Sequence, residues 1–118
     1  MPLKSTLSDM IRVQHMLDAT REALSFIVGR SKAHLYEDRQ LLLSLIKEIE
    51  IIGEAASKVS ASFRRKHSIV PWDLVIATRH RLIHGYFDID QEIVWITVSE
   101  ELPALIKTLE SIVKLGNQ

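Results

Sequence analysis

Along most of this 118-residue chain the apolar side chains recur at steps of three and four, which restricts the segments that carry them to amphipathic helices. From about Thr6 to Val28 the stripe is Leu7, Met10, Ile11, Leu17, Leu24, Ile27 and Val28, and Gly29 with the polar Arg30–Lys32 stretch predicts its end. A longer second helix is predicted from Glu37 to Arg65 on Leu42, Leu45, Ile46, Ile49, Ile52, Ala56, Val59 and Phe63. Gly53 interrupts it with a poor helix former, and the use expected of a residue without Cβ is close approach by a neighbouring helix. Pro71 suits the opening of a third helix, with Asp73 in the first turn and Trp72, Val75, Ile76, Leu82 and Ile83 facing inward until Gly85 stops it. Asp88 and Gln91 have the spacing of a capping box for a fourth helix, whose stripe runs from Ile93 and Val94 to Ile112 and Val113. Pro103 lies inside that stripe, so a kink or break near Glu101 is predicted.

No segment alternates with period two for long enough to make a convincing strand. The fold class is therefore all-α, an antiparallel bundle of four to five helices in a single domain spanning residues 1–118. No run of 18 apolar residues occurs and MPLKSTLSDM has no apolar stretch of the kind a secretory leader needs, so the expectation is a cytoplasmic protein that makes no use of a membrane. The 15 acidic residues balance the 15 basic ones, which argues against coating nucleic acid by bulk charge while leaving room for a local basic cleft. The chain has no cysteine, which excludes disulfides, zinc–thiolate sites and thiol nucleophiles.

Reactive side chains are densest in Arg79-His80-Arg81-Leu82-Ile83-His84-Gly85-Tyr86, at the stop of the third helix. Residues five apart on an α-helix are separated by about 500°, or roughly 140° around the axis. Arg79 and His84 therefore diverge on a continuous helix and converge only if it ends or distorts near Ile83. His80 and His84 share a face only if it does not. A histidine exchanges a proton near neutral pH, and the planar fork of an arginine matches phosphate oxygens. Together they suit cleavage of RNA by its own 2′-hydroxyl, with no metal and no cofactor.

The run Arg79-x4-His84-x-Tyr86 resembles the motif of HepT-type toxins in the HEPN superfamily. Ile51-Ile52-Gly53-Glu54-Ala55-Ala56, Pro71-Trp72, Val94-Trp95 and Glu101-Leu102-Pro103 are similar to that family's other landmarks, in order, from about Asp9 to Val113. The resemblance implies a HEPN-like homodimer whose two motifs line a shared cleft, and metal-independent endoribonuclease activity with Arg79 and His84 catalytic. It also implies a nucleotidyltransferase antitoxin of the MntA type that adenylylates Tyr86 and silences the toxin. His80 stands where relatives commonly carry asparagine, so it could share or compete for the proton-transfer role.

Other readings of the same residues remain open. Arg79 could form a structural ion pair with Glu50 or Glu54, which could also orient it for catalysis. His84 could be an ordinary helix-end residue, and His80-x3-His84 could be half a zinc site, although no glutamate base lies between the two and no third histidine follows. Tyr86 and Phe87 could pack under the loop, Trp72 and Trp95 belong to the core, and His15, His34 and His67 default to the surface. The basic Arg64–His67 run reads as a solvated helix terminus, or as a patch that contacts RNA or the antitoxin. The alternative function is a catalytically inactive HEPN module that binds nucleotide or RNA, or serves only as its partner's substrate.

Overall fold

The structure, a computed structural model, describes the backbone of residues 2–84 and 88–116 and the side chains of residues 7–83 and 88–116. Helix α1 (Pro2–Phe26) lies along α3 (Arg39–Ser57) and α7 (Leu102–Gly116), and α5 (Trp72–Leu82) packs on another side of α3. Short helices α2 (Lys32–Glu37), α4 (Ala61–Lys66) and α6 (Gln91–Ile96) complete the bundle. The all-α prediction holds. Among the described residues the additions are α2, in a stretch the sequence reads as a connection, and a two-residue ribbon, β1 (Ile83–His84) against β2 (Asp88–Ile89), antiparallel with Ile83 opposite Ile89 and His84 opposite Asp88. Two residues per strand are too few to leave a period-two signal. No described helix is long and apolar enough to cross a membrane.

α3 is the central element, and its stripe is buried as predicted from Leu42 through Ala56, continuing into Val59 and Phe63. The single long second helix is not formed. The chain leaves the helix after Ser57 and re-enters at Ala61, because Ser60 supplies a new N-cap whose hydroxyl accepts from Phe63 N at 3.2 Å. Asp9 of α1, itself buried, fixes that corner by accepting from Ser60 N at 2.8 Å and from its hydroxyl at 2.7 Å. Arg64 then donates back to the carbonyls of Ser57 (2.8 Å) and Val59 (3.1 Å), which satisfies acceptors at the end of α3. Asp38 caps the start of α3 through Leu41 N at 3.0 Å, and Gly29 turns the chain out of α1 at φ +71°.

On α1 the inward face is Val13, Met16, Leu17, Thr20 and Ala23. Leu7, Ile11 and Val28, predicted to face the core, are exposed, since Leu7 and Ile11 lie about half a turn away from that face. Trp72 is buried, with its indole N–H donating to His67 O at 3.0 Å, while Trp95 packs partly buried against the core. The approach predicted at Gly53 is observed, for a Cβ there would sit 3.3 Å from Val75 O on α5.

The fourth helix is capped by Asp90, which accepts from Ile93 N at 3.1 Å, and not by Asp88, whose backbone is in the ribbon. Within it the predicted disturbance is a π-helical turn, Thr97–Glu101, closed by Leu102 N donating to Thr97 O. Pro103 has no N–H for the preceding turn, and one extra residue per turn relieves its ring clash. Lys32 and Tyr36 of α2 reach Glu92 of α6 at 3.0 and 2.9 Å, and these hydrogen bonds hold the Glu92 carboxyl below its ordinary range.

A candidate ribonuclease site at the end of α5

Arg79 sits in the last turn of α5, and the helix stops three residues later. Leu82 is the final helical residue, and Ile83 is extended at φ −119° and ψ 114°, its N–H still bonded to Arg79 O. The geometric condition for Arg79 and His84 to converge is therefore met, and His80 and His84 do not share a helical face. The backbone of His84 is held in the ribbon opposite Asp88. The imidazole of His84 and the whole of Tyr86 lie outside the described residues.

The Arg79 side chain is 58% exposed, and its Nε approaches Oε1 of Glu50 on α3 at 3.5 Å. A pair so open to water holds the arginine loosely, so the guanidinium can turn from the carboxylate to a phosphate oxygen at small cost. Glu54, the other carboxylate considered for Arg79, instead pairs with Lys58 at 3.4 Å. His80 is exposed.

The sequence reading missed the bond that Arg81 makes. Its guanidinium makes a two-pronged bond to Glu101 on the π-helical turn, 3.1 Å on each branch. That hydrogen-bonded carboxylate raises the Arg81 pKa further above its ordinary value. The bond ties the end of α5, where the chain turns towards His84, to the fourth helix. Arg81 and Glu101-Leu102-Pro103 had both been noted, but periodicity does not reveal a contact between residues twenty positions apart.

Two clefts flank α5. One, of about 240 Å³, is apolar and bordered by Ile49, Ile52, Leu74, Val75, Leu102 and Leu105. The other, of about 470 Å³, is polar, and Arg79, Glu50 and Glu54 form part of its wall.

Residues 16–112 match the family model described as ribonuclease HepT-like. The chain belongs to the HepT-like ribonuclease family. A protein of Caldanaerobacter subterraneus subsp. tengcongensis named as a candidate RNase is 33% identical over 102 residues, covering 86% of this chain and 91% of the relative. The probable ribonuclease HepT of Thermococcus cleftensis is 32% identical over 102 residues, covering 83% of this chain and 93% of the relative. A candidate RNase of Methanocaldococcus jannaschii is 31% identical over 99 residues, 84% of this chain and 82% of that one. No solved structure matches significantly. The HepT-like match runs from the middle of α1 to near the end of α7 and includes the whole Arg79–Tyr86 segment.

Proposed function

We propose that this HepT-like chain is the toxin of a toxin–antitoxin pair and cuts RNA without a metal, with Arg79 and His84 at the cleavage site. The observation that carries this reading is the exit of the chain from α5 after Leu82, which frees His84 from a diverging helical position in a family described as ribonucleases. His84 takes the proton of the ribose 2′-hydroxyl, and the oxygen attacks the adjacent phosphorus. Arg79 neutralises charge growing on the non-bridging oxygens, and Glu50 orients it from behind. The bond to the 5′-oxygen breaks and that oxygen takes a proton from solvent, to which His84 returns the one it accepted, giving a 2′,3′-cyclic phosphate and a 5′-hydroxyl. His80, next to Arg79, shares or competes for the proton transfers.

Two copies of the chain form the working unit, a homodimer with both motifs on a shared cleft. A nucleotidyltransferase antitoxin silences it by adenylylation. The Tyr86 oxygen attacks the α-phosphorus of ATP, pyrophosphate leaves and the phenolic proton passes to solvent. The bulk and negative charge added within the motif then oppose the binding of RNA.

The test uses a short RNA and its 2′-O-methyl counterpart, incubated with the purified chain and EDTA. Cleavage only of the RNA with free 2′-hydroxyls, leaving 2′,3′-cyclic phosphate ends, is expected. Cutting of the methylated strand would remove the 2′-hydroxyl from the mechanism.

A further inference from the structure

The polar cleft beside α5 is walled by three elements. Arg12 and His15 come from α1, Lys47, Glu50 and Glu54 from α3, and Arg79 from α5, with Lys58 just past the end of α3. Its two carboxylates are engaged, Glu50 with Arg79 at 3.5 Å and Glu54 with Lys58 at 3.4 Å. Arg12 and Lys47 have no ion-pair partner among the described residues, so the cleft carries a local excess of two positive charges in a chain of net charge zero. Arg12 Nε is moreover buried with no hydrogen-bond partner among the described residues. The Arg12 guanidinium thus has no protein acceptor among the described residues, and its permanent charge attracts an anionic oxygen that enters the cleft. The space, about 470 Å³, is of the size that takes a nucleotide-sized group.

We propose that this cleft binds a backbone phosphate of single-stranded RNA, one that flanks the phosphate being cut, with Arg12 and Lys47 as its ligands. The inference rests on the reading of Arg79 as the cation at the scissile phosphate, since Arg79 forms part of the same wall. Arg12 supplies a planar donor fork from α1, and Lys47 a mobile point charge from the exposed face of α3. Such contacts carry no base information. They set affinity and the register of the strand relative to Arg79.

The test is binding of a fluorescent 2′-O-methyl RNA by the parent, Lys47→Gln, Arg12→Gln and the distant control Lys114→Gln, across a range of salt concentrations. Loss of one phosphate contact lowers the slope of log affinity against log salt by about 0.7 for a single strand, and an affinity loss of about three- to tenfold is expected at low salt. Lys47→Gln and Arg12→Gln show both effects, and Lys114→Gln shows neither. Lys47 is exposed, so its variant folds and decides the matter even if Arg12→Gln does not. With cleavable RNA the Lys47 variant raises KM and leaves kcat near the parent value. Parental affinity and slope in Lys47→Gln overturn the proposal. The same result accompanied by loss of self-association overturns it too, and makes the cleft a contact between proteins. Because the readout is binding, it reports on Arg12 and Lys47 separately from whether Arg79 and His84 prove necessary for cleavage.

Discussion

On α3, Gly53 lets the backbone of α5 come so close that a Cβ would meet Val75 O at 3.3 Å and Ile76 O at 3.6 Å. Gly53→Leu forces α5, and Arg79 with it, away from Glu50. Overpacking of this kind costs about 1–3 kcal/mol, and denaturant unfolding should register it. Glu48, five residues earlier, is only 4% exposed, with Oε2 buried and without a hydrogen-bond partner among the described residues. Burial, reinforced by hydrogen bonding and repulsion from Glu22 on α1, pushes its carboxyl up from 4.5 to about 7. Between those values the folded chain holds a proton that the unfolded chain has released. Stability therefore falls as pH rises through the window and levels off above it. Glu48→Gln is expected to remove this slope, matching the parent near pH 4 and exceeding it at pH 8 by up to about 3 kcal/mol. Unfolding curves across that range check it, and equal slopes in parent and variant would refute the burial effect. The role of Gly53 was legible because a glycine inside a helical stripe has few other uses. That of Glu48 was not, because its neighbour Glu22 comes from another helix.

Among the elements, the segments with strong periodicity were legible and their ends were not. The second stripe runs unbroken through Val59 and Phe63, so nothing apolar marks the break at Lys58–Ser60. The break comes from Asp9, fifty-one positions from Ser60 and brought near only by folding. Pro103 did mark its disturbance, since a missing N–H acts locally, although the choice of a π-helical turn over a sharp kink is settled by packing. That turn gives Glu101 its place opposite Arg81. Glu101→Gln is expected to cost about 1 kcal/mol, as for a well-aligned, partly buried arginine–carboxylate pair. It should also lower cleavage by loosening the segment that leads to His84. A double-mutant cycle with Arg81→Gln isolates the coupling, and purely additive effects would mean that the pair does not position the motif.

Taken whole, the described chain measures 48 × 30 × 20 Å with a radius of gyration of 14.7 Å, somewhat longer than a sphere of its length. Ile69 and Leu74 remain exposed beside the apolar cleft. Apolar surface left uncovered by a small bundle favours self-association, and sedimentation equilibrium is expected to give twice the 13.5 kDa chain mass. A monomer at micromolar concentration would contradict the shared cleft. The family and its helical frame were legible from ordered landmarks, and the pairing of Arg79 with Glu50 was one of the two that its sequence neighbourhood allowed. The Arg81–Glu101 tie and the polar cleft were not legible, because they join helices that the sequence lists far apart. The most direct measurement is RNA cleavage in EDTA by the folded parent, Arg79→Ala and His84→Ala. The parent should cut, and each variant should lose activity by about 10²- to 10⁴-fold while keeping its fold. Cleavage that needs a metal, or that persists in both variants, would contradict a metal-free site built on Arg79 and His84.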